Sequence, residues 1–464
     1  MPAAPADTIA AIATGAARAG IGVVRLSGPA ARRIGETVLG RRLVPRRVHH
    51  GRFTDRTGEA IDDGLALYFR APRSYTGEDV VELQAHGAPV VLARLLRRCL
   101  QLGARAARPG EFTERAFHNG KLDLAQAEAV ADLIAAGSEA AARAARRSLE
   151  GEFSRRVEDV LEHLVGLRVW IEAALDFPDE QIDFLAAPEL AARLATARAA
   201  LAALRAEAAR GQRLLDGLHV VIVGAPNAGK SSLLNALAGN DRAIVTEHAG
   251  TTRDLLRETL ELEGLQLILV DTAGLRAAPD AIEAEGIRRA RAELARADLA
   301  LAVLAPGDDP AALAPELAGA ARVLWLHNKL DLDGGEPRGE LRDDGEHLWL
   351  SARTGAGLER LRTRLHALAS GEAPAGILTS GAPAHLRAAD AGAGGSFSAR
   401  ERHLDALART EAALAAAAAC LQEDAAELAA EELRVAQSAL GEITGTFDAE
   451  QLLGRIFAGF CIGK

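Results

Sequence analysis

The stretch His219-Val-Val-Ile-Val-Gly-Ala-Pro-Asn-Ala-Gly-Lys-Ser-Ser232 decides the fold of the central part of this 464-residue chain. Strand-forming residues run into Gly224, four residues follow, and Gly229, Lys230 and Ser231 complete the pattern G-x-x-x-x-G-K-[ST]. The two glycines let the backbone approach a phosphate chain, and the amide groups at the start of the following helix point at the anion. A glycine-rich turn with a chance lysine would need neither the strand before it nor the helix after it. The stretch therefore predicts a phosphate-binding loop in an α/β domain.

Each polar residue of this loop has an expected role. We expect Lys230 to reach the β- and γ-phosphates of a nucleotide and the hydroxyl of Ser231 to bind Mg²⁺. The residues of the loop that we predict to contact the nucleotide are Asn227, Ala228, Gly229, Lys230, Ser231 and Ser232.

Lysine is rare in this sequence. The chain has 54 Lys plus Arg, and its four lysines are Lys121, Lys230, Lys329 and Lys464. Lysine offers a compact ammonium on a flexible stem, which the planar guanidinium of arginine does not replace. Codon bias alone would also leave a few lysines, at random positions, but Lys230 and Lys329 both lie in nucleotide-binding motifs. We therefore expect Lys121 and Lys464 to contact a ligand as well.

Charge and cysteine content limit the function classes. The net charge is −10, which argues against a chain that binds polyanions over its whole surface. Residues 1–120 differ, with 18 Arg against 11 Asp and Glu, so a nucleic acid would meet this third or a second protein. The three cysteines lack metal-binding spacing and fit a reducing compartment. With no signal peptide and no run of eighteen apolar residues, we expect a soluble cytoplasmic protein.

The composition predicts several domains. Residues 1–120 alternate between strand and helix patterns, and residues 121–213 are rich in Ala, Leu, Arg and Glu at helical spacing. The nucleotide-binding domain spans 214–371, an Ala-, Gly- and Pro-rich linker spans 372–398, and helical composition resumes over 399–464. We predict an α/β and α multidomain protein in which a globular domain is inserted between two helical halves.

The nucleotide is predicted to be GTP. A buried strand leads into Asp271-Thr-Ala-Gly274, where Asp271 would support Mg²⁺ and the amide of Gly274 would sense the γ-phosphate. Another strand ends in Asn328-Lys-Leu-Asp331, whose final carboxylate can accept hydrogen bonds from N1 and the 2-amino group of guanine. The backbone of Ser351-Ala-Arg353 would meet guanine O6. The residues predicted here to contact GTP are Asp271, Thr272, Ala273, Gly274, Asn328, Lys329, Asp331, Ser351, Ala352 and Arg353.

A switch loop is predicted around Gly250-Thr-Thr-Arg-Asp254, with Thr252 as the second Mg²⁺ ligand. The loop residues predicted to contact GTP are Thr246, Glu247, His248, Ala249, Gly250, Thr251 and Thr252. Ras-like enzymes place a glutamine at the position of Leu275 to orient water, and leucine cannot do so. Glu283 is the best-placed carboxylate to replace it, ahead of Arg253 and Arg276, although it also reads as a solvated helix glutamate.

The sequence resembles the MnmE (TrmE) family of tRNA modification GTPases over essentially its whole length. The resemblance rests on motifs along the entire chain: Ser74-Tyr-Thr-Gly-Glu-Asp, Arg108-Pro-Gly-Glu-Phe-Thr, Asn119-Gly-Lys-Leu-Asp-Leu-Ala-Gln-Ala-Glu128, Gly224 to Ser232, Gly250-Thr-Thr-Arg-Asp, Asp271-Thr-Ala-Gly-Leu-Arg, Leu452-Leu-Gly-Arg-Ile-Phe and Cys461-Ile-Gly-Lys464. It implies an N-terminal α/β tetrahydrofolate-binding and dimerisation domain, a discontinuous helical domain and an inserted Ras-like P-loop G domain. It also implies an FAD-dependent, MnmG-like partner in a heterotetramer that modifies the wobble uridine of certain tRNAs with a (carboxymethyl)aminomethyl-type group.

The resemblance also implies site residues. Arg25, Glu82, Lys121 and Lys464 match the contacts to 5-formyltetrahydrofolate or 5,10-methylenetetrahydrofolate, which supplies the one-carbon unit. Asn227, Thr246, His248 and Thr251 match the K⁺ site, and Glu283 matches the residue that orients water. Cys461 matches a candidate nucleophile, and a small residue packed at a docking site is an equal alternative. From the residues alone, Glu82 is either exposed on an edge strand or functional.

Two other classes of function remain open from the sequence. A ribosome-assembly GTPase usually carries a basic RNA-binding module after its G domain, whereas the segment here is rich in Ala and Glu. A folate-dependent aminomethyltransferase with a merely regulatory G domain would need another substrate motif, and none is evident.

Overall fold

The structure is a computed structural model. It describes residues 7–15, 17–176, 188–238, 292–343, 345–369, 397–423, 425–446, 456, 460 and 463, together with the backbone of 257–262 and 265–271. Its contacts divide the chain into two compact units. The first comprises Met1–Ala131, Ser148–Arg198 and Arg409–Lys464, and the second comprises Asp132–Arg147 and Ala199–Ala408.

Strands and helices are mixed up to His118, and a run of helices then precedes the second sheet. Up to the middle of the chain they are β1 (Ile9–Ile12), β2 (Ala19–Ser27), α1 (Ala31–Leu39), β3 (Val48–Thr54), β4 (Ala60–Phe69), β5 (Val80–Gly87), α2 (Pro89–Gln101), β6 (Arg105–Ala106), α3 (Glu111–His118), α4 (Leu124–Ala135), α5 (Glu139–Leu149), α6 (Glu152–Asp176) and α7 (Pro188–Asp216). After it they are β7 (Leu218–Gly224), α8 (Lys230–Ala238), β8 (Arg257–Leu262), β9 (Leu265–Asp271), β10 (Leu299–Leu304), α9 (Pro310–Leu317), β11 (Val323–His327), α10 (Leu330–Asp333), β12 (Gly339–Arg342), β13 (Gly345–Trp349), α11 (Leu358–Ala369), α12 (Glu401–Gln422) and α13 (Ala426–Thr444).

The first sheet has the strand order β3-β4-β5-β2-β1-β6 and is antiparallel except for the pair β1 and β6. Buried and more exposed residues alternate along β4 and β5, as expected for an antiparallel sheet with one face against the core. That face packs Val24 and Leu83 against Ile34 of α1 and Leu95 of α2. Residues at the intervening positions, Arg25 and Glu82 among them, therefore point to the opposite face.

Long helices complete the first unit. Leu164, Leu167 and Ile171 of α6 are buried at helical spacing. This helix packs along α13, and Arg168 donates a 2.6 Å hydrogen bond to Gln437 across the contact. The helical composition predicted for 121–213 and 399–464 is thus confirmed by α4, α5, α6, α7, α12 and α13.

None of the helices in the described part of the chain is both long enough and apolar enough to cross a lipid bilayer.

The second sheet has the strand order β12-β13-β11-β10-β7-β9-β8. Strands β7, β9, β10, β11 and β13 are parallel, and β8 and β12 are antiparallel edge strands. Val220 and Ile222 of β7 face one apolar cluster and Val221 and Val223 face another, so both faces of this strand are covered. The carboxyl ends of parallel strands meet at one edge of a sheet, which is where ligands bind in such folds.

Candidate functional site

The phosphate-loop motif joins β7 to α8, as predicted. Gly229 has φ +97°, and a Cβ on it would lie 2.3 Å from Nδ2 of Asn328. A Cβ on Gly224 would lie 2.4 Å from the carbonyl oxygen of Val303 on the neighbouring strand. Both positions therefore exclude any larger residue, because two elements pass too close to them. Asn227 also has a positive φ, +65°, which asparagine tolerates better than most residues.

Lys230 lies across the phosphate loop. Its Nζ donates hydrogen bonds to the carbonyl oxygens of Gly224 at 2.8 Å and Ala225 at 2.9 Å. Ala228 and Lys230 are buried, whereas Ser231 and Ser232 are exposed. The ammonium group is thus held inside the loop, and both serine side chains face outward.

Asn328 connects three loops of the second sheet. Its Nδ2 donates to the carbonyl oxygen of Ala228 at 2.9 Å, and its Oδ1 accepts from the backbone N–H of Ala352 at 3.0 Å. The side chain is buried, so these hydrogen bonds hold the phosphate loop, the loop after β11 and the loop after β13 at one edge. The sequence identified the three motifs, but it did not show that Asn328 links them.

Asp331 is held by two side chains of the Ser351-Ala-Arg353 motif. Ser351 donates its hydroxyl to Oδ1, and the Arg353 guanidinium lies 2.8 Å from Oδ2. The hydrogen bond from Ser351, aided by the charge of Arg353, lowers the pKa of Asp331 below its ordinary value. The carboxylate is therefore charged at neutral pH, and it can only accept hydrogen bonds. The sequence had indicated only a backbone role for this motif.

The remaining predicted nucleotide and cation residues lie outside the described residues or are described only in part. Backbone pairing places Asp271, the last residue of β9, opposite Ile222 of β7, two positions before Gly224. The others that lie outside are Thr246, Glu247, His248, Ala249, Gly250, Thr251, Thr252, Thr272, Ala273, Gly274 and Glu283, with Arg253, Leu275 and Arg276.

A second polar constellation lies on the first sheet. Arg25 of β2 and Glu82 of β5 occupy paired positions on neighbouring strands, and their side chains form an ion pair at 2.8 Å. Strand β5 lies between β4 and β2, so the interpretation of Glu82 as a residue exposed on an edge strand is wrong. Both side chains are about four-fifths buried, with exposed fractions of 18% and 20%.

Aromatic rings and the C-terminal segment surround this ion pair. The Arg25 guanidinium lies 5.8 Å from the ring centroids of both Tyr75 and Phe112. Its Nη1 also donates to the carbonyl oxygen of Gly463, at 3.4 Å. Gly463 has φ +98°, and a Cβ there would lie 2.3 Å from the carbonyl oxygen of Ile12. Gly463 thus lies against the N-terminal sheet, whereas its near neighbours in sequence, Cys461 and Lys464, are outside the described residues.

Lys121 contacts the segment that carries Tyr75. Its Nζ donates to the carbonyl oxygen of Pro72 at 3.2 Å, and its side chain is exposed. Asn119 donates from Nδ2 to the carbonyl oxygen of Thr76 at 2.7 Å. The segment between Pro72 and Thr76 therefore links the surroundings of Arg25 to Lys121. Tyr75 lies in the motif that begins at Ser74 and Phe112 in the motif that begins at Arg108, but the sequence assigned neither a role.

A network of charged residues, of which Glu111 and Arg115 are buried, lies beside this constellation. Arg115 pairs with Glu78, Glu111 and Asp7, and Arg105 pairs with Glu111 and Asp7. Burial alone would raise the pKa of Glu111, but hydrogen bonds from Arg105, the backbone of Arg108 and Arg115 outweigh it and lower that pKa. The network fixes the start of α3 and the segment before β5, which carry Phe112 and Tyr75.

Comparisons with known proteins point to one family. A model described as GTP-binding protein TrmE N-terminus matches residues 8–121, and a model described as MnmE helical domain matches residues 124–461. The chain is 56% identical over 461 residues to the tRNA modification GTPase MnmE of Xanthomonas campestris pv. campestris (strain B100), with 99% of each chain covered. It is 53% identical over 461 residues to the tRNA modification GTPase MnmE of Xylella fastidiosa (strain Temecula1), with 99% of this chain and 98% of that one covered.

Proposed function

This chain belongs to the family of the tRNA modification GTPase MnmE, and we propose that it hydrolyses GTP to GDP and phosphate in the course of tRNA modification. The observation that carries the proposal is the carboxylate of Asp331, which Ser351 and Arg353 hold at the strand edge that also bears the phosphate loop. A charged carboxylate accepts from the N1–H and 2-amino groups of guanine, and adenine offers no such pair of donors. Base selection and phosphate binding thus belong to one rigid edge.

The chain's own residues account for the first steps of nucleotide binding. Lys230 already donates into the loop, so its ammonium can transfer those hydrogen bonds to phosphate oxygens without a large movement. The amides of the loop and the start of α8 supply further donors to the anion. Asn328 keeps the loop and the base-reading motif at a fixed distance, so both ends of the nucleotide are bound together.

Two cations complete the proposed chemistry. The exposed hydroxyl of Ser231 is an oxygen donor suited to Mg²⁺, with Thr252 as the second protein ligand. Asn227, exposed at the bend of the loop, would hold K⁺ with Thr246, His248 and Thr251. When bound, the cations neutralise charge on the phosphates. In this proposal Glu283 orients the attacking water, because Leu275 cannot.

For the tRNA modification itself, we propose a tetrahydrofolate site at Arg25, Glu82, Lys121 and Lys464. The contact between Arg25 and Gly463 supports it, because Gly463 is the neighbour of Lys464 in sequence. An ion pair flanked by aromatic rings also fits a flat, hydrogen-bonding pterin. A folate bound here would donate a one-carbon unit to the wobble uridine, with an FAD-dependent, MnmG-like partner in a heterotetramer. We further propose that the chain forms a homodimer through its N-terminal domain. The domain boundaries are proposed to lie at residues 120, 213, 371 and 398, and the protein is proposed to be cytoplasmic.

Phosphate release from GTP, measured in K⁺ and in Na⁺ at equal ionic strength with Mg²⁺ present, tests the hydrolysis. We expect the rate in K⁺ to be roughly tenfold higher or more, because a site suited to K⁺ would bind the smaller Na⁺ poorly. Asn227→Ala should abolish the difference between the salts. Equal rates for the unmodified protein would refute the K⁺ site.

Glu283→Ala should bind GTP normally but hydrolyse it about 10- to 1000-fold more slowly, the range for losing one positioned polar group. Arg276→Ala is the matched variant. A large loss in Arg276→Ala, with none in Glu283→Ala, would assign the role to the arginine.

Deleting residues 461–464 should weaken the binding of 5-formyltetrahydrofolate and abolish tRNA modification in the presence of the partner. K⁺-stimulated GTP hydrolysis should stay within about twofold, because the second sheet binds the nucleotide on its own. Unchanged folate affinity by calorimetry would remove Lys464 and Cys461 from the proposed site.

A further inference from the structure

The surface beside Lys121 carries several arginines that the proposed function does not use. Arg46 and Arg47 precede β3, and Arg70 and Arg73 follow β4, so two connecting segments meet at one end of this strand pair. Nη2 of Arg46 donates to the carbonyl oxygen of Arg73 at 3.2 Å. We call Arg46, Arg47, Arg70, Arg73 and Lys121 the cationic cluster. All five side chains are exposed.

The cluster lies at one end of a strand pair whose other end carries paired charges. At the far end, around the turn between Thr54 and Ala60, Arg52 and Arg94 contact the carboxylates of Asp55, Glu59 and Asp63. The four arginines of the cluster form no ion pair with a carboxylate of the described residues. Their guanidinium groups therefore retain donors for an outside anion.

The backbone at Arg46 has a left-handed conformation, which an ordinary exposed loop does not require. Residues 44–47 form a turn in which Arg47 donates from its N–H to the carbonyl oxygen of Val44 and Arg46 has φ +59°. With Pro45 in the second position, the third position of such a turn usually carries Gly or Asn. An arginine held there aims its side chain at Arg73, and strained positions of this kind concentrate at binding sites.

One loop connects the cluster to the proposed folate site. Tyr75 lies beside Arg25, Pro72 accepts the hydrogen bond from Lys121, and Arg73 lies between them in sequence and accepts from Arg46. Three residues of extended chain span roughly 10 Å. A ligand that runs from Arg25 towards Lys121 would thus meet the arginines beyond Lys121.

We propose that the cationic cluster binds the poly-γ-glutamyl tail of a folate, so that the preferred one-carbon donor is a folylpolyglutamate rather than a monoglutamate. The proposal rests on the proposed folate site. Each added γ-glutamyl residue contributes one carboxylate, and several such groups on a flexible chain match the several exposed cations of the cluster. A guanidinium group binds a carboxylate through two parallel hydrogen bonds, so arginine suits this role better than lysine. The ion pair at Arg25 would hold the pterin end in every form of the ligand.

Calorimetry on the full-length protein tests the proposal with 5-formyltetrahydrofolate as the monoglutamate and as the pentaglutamate. We expect the pentaglutamate to bind about tenfold more tightly at low salt, the combined effect of several exposed ion pairs. Adding salt to about 0.5 M should bring the two affinities to within about twofold, because exposed charges are then screened.

The double variant Arg46→Ala, Arg73→Ala should lower the ratio of the two affinities to about twofold at low salt. Alanine keeps a side chain at the positive φ of Arg46, so the backbone strain is the same before and after. Arg52→Ala is the matched control, since it removes one exposed arginine from β3, towards the far end of the same strand pair. Its affinity ratio should equal that of the unmodified protein.

The outcomes separate this inference from the proposed function. If neither ligand binds, the folate site itself is wrong. If both bind equally to the unmodified protein, the folate site stands and the tail-binding cluster is refuted. If both bind equally and the double variant instead loses affinity for an anticodon stem-loop RNA, the cluster serves RNA and the inference is likewise overturned.

Discussion

The second sheet gathers its polar residues at one edge, whereas the first sheet gathers them on one face. In the second sheet, Lys230, Asn328 and Ser351 follow the carboxyl ends of three parallel strands. In the first sheet, Arg25 meets Glu82 on a neighbouring antiparallel strand and Gly463 from the end of the chain. Short contiguous motifs are therefore enough to form the site at the strand ends of the second sheet. The site on the face of the first sheet depends instead on the register between strands and on segments that are far apart in sequence.

The support beneath the two sites differs as well. Apolar clusters cover both faces of the parallel sheet, and Asn328 links its loops through side-chain hydrogen bonds. The site on the first sheet instead rests on the buried ion pairs of Glu111 and Arg115. We therefore expect charge changes to unfold the first unit and steric changes to disable the second.

Glu111→Gln should have the largest effect. The change leaves the buried guanidinium of Arg115 with less compensating charge, at a cost of about 3 kcal/mol in the free energy of unfolding. Because the folded-state pKa of Glu111 is lowered, its contribution is fully present above the unfolded-state value, near pH 4.5, and disappears as the pH falls through the lower folded value.

Urea unfolding between pH 3 and pH 7 measures this effect. Glu431→Gln, which breaks an exposed ion pair with Arg434 on α13, is the matched control and should leave unfolding unchanged. A Glu111→Gln protein as stable as the control would show that the first unit does not depend on its buried charges.

Gly229→Ala should follow, with roughly 100-fold weaker binding of GTP. The new Cβ would collide with Nδ2 of Asn328, and a positive φ costs about 1–2 kcal/mol for a residue with a side chain. Displacing the buried amide of Asn328 adds about 1–3 kcal/mol. Titration with a fluorescent GTP analogue measures the affinity.

Gly307→Ala is the steric control for this variant. Gly307 has a similar φ, +89°, and no atom within 4 Å of a Cβ. It should bind GTP as the unmodified protein does. Equal losses in the two variants would mean that backbone strain, and not the contact with Asn328, sets the affinity.

Glu82→Gln should have the smallest effect of the three, about tenfold weaker binding of 5-formyltetrahydrofolate, the scale of one charge-assisted hydrogen bond. GTP affinity should not change, since the two sites lie on separate sheets. Calorimetry with each ligand decides the matter. A parallel loss of GTP affinity would contradict the independence of the sites.

This contrast also explains what the sequence could predict. The motif around Gly224 to Ser232 and the Asn328 and Ser351 motifs indicated both the parallel sheet and its ligand edge, because each motif is contiguous and parallel strands align their ends. The mixture of strands and helices in residues 1–120 was predictable from periodicity. The pairing of Arg25 with Glu82 was not, since a shift of one residue in register turns every side chain to the other face.

Some roles could be read only from contacts. The hydroxyl of Ser351 donates to Asp331, and the side chain of Asn328 links its own loop to two others. Neither spacing nor composition distinguishes these roles from backbone contacts. The ion pairs of Arg115 join Asp7, Glu78 and Glu111, which are far apart in sequence. The rarity of lysine did single out Lys121 as a candidate ligand contact, although composition could not show which group it contacts.

The most direct test of the account is base selection by Asp331→Asn, measured as the affinity for GTP and for xanthosine triphosphate. An amide at this position can donate to the oxygen that replaces the guanine 2-amino group, and it cannot accept both donors of guanine. We predict that GTP binds roughly 100-fold more weakly to the variant and that xanthosine triphosphate becomes the preferred nucleotide. If the variant still binds GTP tightly and rejects xanthosine triphosphate, Asp331 does not read the base, and the proposed guanine site is wrong.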